Sequence, residues 1–160
     1  MSRWALVAGL LLSGCSVADT QVNDVLPTTE ACFVRDDGNG LRVTLEVASE
    51  PEQRRLGLMG RTELADHAGM LFSYGRERGA NTGFWMYRTL IPLDIAFMRD
   101  DGTIVSINQM APCADKPSRE CPSYPAGARY THAVEMNQGF FGENDITLGD
   151  RLVWPARGEC

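Results

Sequence analysis

The sequence predicts a mainly β (α+β) domain, a small barrel-like or sandwich β fold with one or two short helices. Three observations carry that expectation. The stretch LRVTLEVA (Leu41–Ala48) alternates apolar and polar residues, putting Leu41, Val43, Leu45 and Val47 on one face of a half-buried strand. Two further apolar runs, PLDIAFMRD and TIVSINQMA, flank Asp101-Gly102, a dipeptide suited to a tight hairpin turn. Turn residues then recur between short apolar segments along the rest of the chain.

Taken in order, Cys32–Arg35 is the expected hairpin partner of Leu41–Ala48 across the turn DDGNG. Ser49 and Glu52 give the S-x-x-E capping pattern, and Pro51 is tolerated in a first turn. A short helix is therefore expected from about Glu50 to Met59, stopped near Gly60, with Leu56 and Met59 inward and Arg54 and Arg55 in water. GMLFSY (Gly69–Tyr74) and GFWMY (Gly83–Tyr87) read as short strands separated by a polar loop, GRERGAN. A two-residue primed turn at Asp101-Gly102 pairs Asp100 with Thr103, Met98 with Val105, Ala96 with Ile107 and Asp94 with Gln109. Ala111–Gly127 is a loop with four prolines. ARYTHAVEM then returns as a strand, with Tyr130, His132, Val134 and Met136 on one face and Glu135 on the other. NQGFFGEND is a helical turn, and ITLGDRLVW supplies a last strand after a Gly-Asp turn.

At 160 residues the chain holds one domain plus an address. Arg3 gives a positive start, and Trp4–Leu12 form an apolar run of signal-peptide length, too short to span a bilayer as a helix. LSGC (Leu12–Cys15) resembles the lipobox of bacterial lipoproteins. The resemblance implies cleavage before Cys15, lipid on that cysteine, and anchoring on a membrane facing the periplasm. Ser16 slightly favours the outer membrane. Residues 1–14 are then the signal, 15–31 the lipidated cysteine and a flexible tether, and 32–160 a single β-rich domain. As a coil the tether reaches about 22 Å. Cleavage removes one arginine, taking the net charge from −6 to −7. That balance disfavours nucleic-acid binding.

Four cysteines remain, and in an oxidising compartment an even set implies two disulfides out of three possible connectivities. Cys113–Cys121 would close the proline-rich loop and Cys32–Cys160 would tie the domain's ends, worth about 2.6 and about 5 kcal/mol in the chain-entropy model. A zinc site lacks any C-x-x-C knuckle.

The stretches RRLGLMGR (Arg54–Arg61), GMLF (Gly69–Phe72), FWM (Phe84–Met86), TLIPLDIAF (Thr89–Phe97), DGTIV (Asp101–Val105), AVEMNQGF (Ala133–Phe140) and ITLGDRLV (Ile146–Val153), with the PC…CPSYP loop, together resemble the family called domain of unknown function 192. The chain departs from it at Tyr87 and Arg88, where the family has lysine and asparagine, and at Val134, usually leucine. The resemblance implies a compact β-rich fold, often exported, and assigns no activity to any residue.

Candidate chemistry comes from the residues themselves. Asp94 is a lone carboxylate in an apolar strand, so it must be paired, hydrogen-bonded or protonated. Gln109 and Arg61 are its expected partners. Glu135 joins Asp94 in the alternative reading, a carboxylate pair for an acid–base hydrolase acting for example on glycans, though on a half-exposed sheet it would be solvated or salt-bridged. His67 and His132 are the only histidines, and no serine or cysteine nucleophile motif occurs. Six methionines beyond the signal are scattered singly, as core fillers rather than copper ligands. Trp85, with Phe84 and Tyr87 around Met86, suits stacking on a sugar or peptide. The expectation is a lipid-anchored, non-catalytic module binding a small ligand, glycan or envelope protein through Arg61, Trp85, Met86 and Asp94, with no cofactor, metal or nucleic acid.

Overall fold

The computed structural model describes residues 26–156 and Cys160. The expected signal segment, Cys15 and residues 16–25 of the expected tether lie outside the described residues. The elements run β1 (Thr28–Val34), β2 (Gly40–Ala48), α1 (Pro51–Leu56), β3 (Ala68–Arg78), β4 (Gly83–Trp85), β5 (Leu93–Met98) and β6 (Ile104–Met110). A 3-10 turn (Ser118–Glu120), β7 (Ser123–Pro125), β8 (Tyr130–Asn137), α2 (Phe140–Glu143) and β9 (Arg151–Val153) complete the order. Seven strands form one sheet in the order β6-β5-β8-β3-β2-β1-β9, and β4 with β7 forms a small second sheet. The fold is mainly β, as the sequence predicts.

The large sheet curls until its two edges meet. Thr103, just before β6, bridges Arg151 of β9. Leu152 N–H donates to the Gly102 carbonyl at 3.0 Å, and Ile104 N–H to the Asp150 carbonyl at 2.8 Å. The contact is confined to the start of β6, where it pairs edge backbone groups that would otherwise be open to another strand. Gly102 makes the approach possible: its φ is +81°, and a Cβ there would sit 2.1 Å from the Leu152 oxygen.

Curling divides the apolar residues into two cores. The inner one joins both edges, with Phe33, Leu45, Leu71, Val134, Ile104 and Leu152 packed on Phe140 and Phe141 of α2. The outer one lies between the sheet and a layer made of β4, β7 and the segment after α1, and includes Phe72, Phe84, Met86, Ile95, Phe97 and Leu58. β2 and β3 are parallel, so the chain must cross over between them. That crossover carries α1 and residues 57–67.

Several boundaries differ from the sequence reading for identifiable reasons. β1 begins at Thr28, inside the stretch assigned to the tether, because Thr28–Ala31 pair with Glu46–Val43. Its polar start reflects exposure beyond the reach of β9, which covers only Cys32–Val34. α1 ends at Gly57, whose φ is +49°, rather than near Gly60. Its cap is one residue late: Gln53 Oε1 accepts from the Glu50 N–H at 2.9 Å. Gly75–Arg78, read as loop, extend β3. The hairpin turn is Arg99–Thr103 with Gly102 left-handed, a three-residue loop rather than a two-residue primed turn. The β5–β6 register keeps Asp94 opposite Gln109 and Ala96 opposite Ile107. A bulge then moves Met98 opposite Ile104 instead of Val105. A register shift in the β3–β8 ladder accompanies the move of Tyr130 to the outer core, away from the face of His132 and Val134. Both disulfides form with the favoured pairing, Cys32–Cys160 and Cys113–Cys121.

Candidate functional site

Alternation in β5 and β8 decides which carboxylates meet. Asp94 lies opposite Met136, whereas Glu135 lies opposite Ile95. Directly opposed residues share a face, so the two carboxylates project to opposite sides of the sheet. The alternative reading of Asp94 and Glu135 as an acid–base pair is therefore corrected: the sheet separates them, and both are buried, at 2% and 4% exposure.

Asp94 points into the inner core beside α2. Its Oδ2 accepts the Gly139 N–H at 3.0 Å, while Oδ1 is buried without a partner among the described residues. Burial raises its pKa, opposed by backbone hydrogen bonds from Gly139 and Phe141, and the nearby Glu143 charge raises it further. Neither expected partner reaches it. Gln109 is exposed on the edge strand. Arg61 instead gives both oxygens of Glu46 a hydrogen bond at 2.6 Å on the surface. The geometry makes Asp94 an anchor for the turn into α2.

Glu135 sits in the outer core, in the middle of a strand flanked on both sides, between Met70 on β3 and Ile95 on β5. No hydrogen bond or ion pair to its side chain forms among the described residues, and burial alone pushes its pKa up to about 8. At pH 7 the group is mostly the neutral acid. Glu135 lines a narrow cleft together with Leu58, Phe72, Phe84 and Thr89, with Arg54 and Trp85 also lining it. The space open to a water-sized sphere is ≈ 20 Å³, room for about one water or one ammonium group.

The cleft's charged rim is already engaged. The Arg54 guanidinium donates to the Ser73 carbonyl at 2.9 Å and to the Ser49 carbonyl, and lies over the Tyr74 ring. Arg55 holds Glu52 in a two-point pair. Glu135 is thus the one ionisable side chain in the cleft with no partner among the described residues.

Of the four residues expected to bind ligand, the structure brings one to this cleft. Trp85 lines it and is 42% exposed, stacked near Tyr87. Met86 is fully buried in the outer core, Arg61 is held by Glu46, and Asp94 is on the far side of the sheet. The causes differ: strand alternation sends Asp94 to the far face, Met86 is packed in the outer core, and Glu46 draws Arg61 to the surface. Glu135, Leu58, Phe72 and Phe84 also line the cleft, and of these the sequence reading had not singled out Leu58 and Phe72. The residues around Glu135, THAVEMN, gave no local signal of its burial, which is set by the position of β8 between β3 and β5.

The cleft is where the separate stretches of resemblance come together: RRLGLMG after β2, GMLF on β3, FWM on β4 and AVEM on β8. A model of the family DUF192, described as an uncharacterized ACR, matches residues 32–154. The chain belongs to the DUF192 family. Two solved structures resemble this DUF192 domain. One, from Sinorhizobium meliloti 1021 and described as a putative transcription regulator, is 29% identical, with a TM-score of 0.71 over 80% of this chain and 94% of that one. The other, a protein of unknown function from Novosphingobium aromaticivorans DSM 12444, is 28% identical, with a TM-score of 0.70 over 83% and 89%. No curated protein matches the chain.

Two further features of the DUF192 domain lie away from the cleft. A wider groove of ≈ 820 Å³ runs where the sheet edges meet, lined by Glu77, Arg99, Asp100 and Arg129. Its charges are exposed, and Arg129 already pairs with Glu77. His132 is buried against Trp154, with Nε2 3.7 Å from Asp100. Burial lowers its pKa against the Asp100 charge, so the ring is mostly neutral at pH 7. No group of three or more His, Cys, Asp or Glu side chains placed to hold a metal occurs among the described residues.

Proposed function

We propose that this DUF192 domain is a non-catalytic binding module of the cell envelope, and that its binding site is the cleft over Glu135. The observation that carries this reading is a buried carboxyl with no protein partner lining an aromatic-walled opening. Burying a polar group without a hydrogen bond costs folding free energy, and such costs concentrate at sites kept for function. Catalysis by a carboxylate pair needs a second titratable group beside the first, and the walls here supply none. Trp85 at the rim offers an exposed aromatic face to whatever enters.

Export and anchoring belong to the same proposal. The chain is cleaved before Cys15, lipidated there and held facing the periplasm, with the outer membrane favoured. Arg3, the apolar run Trp4–Leu12 and LSGC support this. Two disulfides fit an oxidising compartment. Direct regulation of transcription, which the S. meliloti description raises, is disfavoured by the net charge of −6.

The test is a thermal-shift panel of amines, amides, carboxylic acids and glycans on the full chain, run beside Glu135→Gln and Trp85→Ala. Binding without product release, altered by either substitution, is expected. Ligands that shift all three proteins equally, or glycans that are cleaved, would refute the reading. Mass analysis of the mature N-terminal peptide, with Cys15→Ser as control, reads the anchor: an unmodified Cys15 overturns it.

A further inference from the structure

We infer that the cleft over Glu135 receives a primary ammonium on an unbranched alkyl stem, the side chain of a lysine presented by a polypeptide partner. The inference rests on the binding reading above and deepens it to a ligand class. Three observations converge on it.

The first is the carboxyl. Glu135 is 4% exposed, faces Met70 and Ile95 across the neighbouring strands, and lines the cleft. A neutral hydrogen-bonding role would be served by glutamine, which never ionises. A carboxyl in that place gains most from a cation, because the incoming charge supplies the partner the fold leaves out. Among the described residues, the charged groups lining the cleft beside Glu135 are Arg54 and Arg55 on α1, and both are engaged elsewhere. β3, β4 and β8 present Phe72, Phe84, Trp85 and Glu135 itself.

Size is the second. The water-sized space of ≈ 20 Å³ suits an ammonium, which is about as large as a water, and is too small for the planar fork of a guanidinium. Leu58, Phe72 and Phe84 give the neck an apolar wall against which a methylene stem packs.

The third is the mouth. Of the four exposed large apolar side chains, Leu56 and Trp85 line the cleft and Leu90 follows Thr89, which also lines it. Free alkylamines have nothing to cover such a rim. A lysine flanked by apolar residues on a polypeptide does, and the net charge of −6 favours approach of a basic segment.

The experiment is calorimetric titration of the full chain with the peptide acetyl-Ala-Leu-Lys-Leu-Ala-amide, in two buffers of different ionisation enthalpy. Expected is release of about one proton per peptide at pH 6, with affinity rising about tenfold per pH unit from pH 5 to 7 and levelling above pH 8. Glu135→Gln should weaken binding by tenfold or more, and peptide carrying Nε-acetyl-lysine should not bind. Equal affinity for n-butylamine and peptide would overturn the polypeptide source while keeping the ammonium. Binding of butyramide or butyrate that depends on Glu135, with no binding of either amine, would overturn the inference and leave the cleft as a site. No binding by any probe that depends on Glu135 or Trp85 would overturn both.

Discussion

Replacing Glu135 by glutamine should stabilise the protein, and the amount should depend on pH. Glutamine keeps the shape of the side chain and cannot ionise. In the unfolded chain the glutamate titrates near its ordinary value of 4.5, and in the folded chain near 8. The folded state therefore holds the proton more tightly than the unfolded one. For such an acid, stability is lost as pH rises, starting at the unfolded value and complete only above the folded one. Relative to a neutral side chain, the penalty works out at about 1 kcal/mol at pH 5, about 3 at pH 7 and about 5 at pH 9. Urea unfolding of the two full chains with disulfides intact, at those three pH values, reads the difference directly. Equal slopes against urea would show that the substitution changed stability and not the surface exposed. The curves should converge near pH 4. If Glu135→Gln is less stable than the parent at pH 7, or if the difference is flat with pH, the carboxyl is ionised and partnered in the fold. Glu135 would then not be the unpartnered group that the binding proposal requires.

The other carboxylate should behave differently. Asp94→Asn keeps an oxygen for the Gly139 N–H and should leave stability at pH 7 unchanged or raised, while Asp94→Ala strands that donor and should cost about 1–3 kcal/mol by urea unfolding. Gly102→Ala drives a Cβ into the Leu152 carbonyl at a left-handed position and should cost about 1–3 kcal/mol or more, with the loss of hydrogen-exchange protection centred on β9. Replacing Cys32 and Cys160 together by serine should cost about 2–5 kcal/mol, read as a fall in melting temperature.

Much of the fold was legible because it follows period-two alternation. Leu41–Ala48, the hairpin around Gly102 and Ala128–Met136 all announced strands, and the register of Asp94 with Gln109 held. The misses came where tertiary pairing overrides local pattern. Thr28–Ala31 look like tether because one edge of that strand is solvated, yet they pair along β2. Ser123–Pro125 sit between prolines inside an expected loop, and become strand by pairing with Gly83–Trp85. The bulge beside Met98 follows from the longer turn and has no separate signature in the residues.

The site was harder to read for a reason of the same kind. A carboxylate draws notice when its neighbours are uniformly apolar, and LDIAF put Asp94 in that light. Glu135 stands in THAVEMN, where histidine, threonine and asparagine suggest a strand with one wet face. What sets the burial of Glu135 is not its own strand but the position of β8 between β3 and β5, with a second layer across it. Strand order depends on contacts between segments separated by dozens of residues, and single-strand alternation does not encode it. Given that order, the two carboxylates exchange roles. Asp94, the conspicuous one, finds a backbone donor and serves the turn into α2. Glu135, the inconspicuous one, is left without a partner among the described residues where the outer layer opens beside Trp85. A buried carboxyl that the fold leaves unpaired, rather than the conspicuous one, is what the binding proposal rests on.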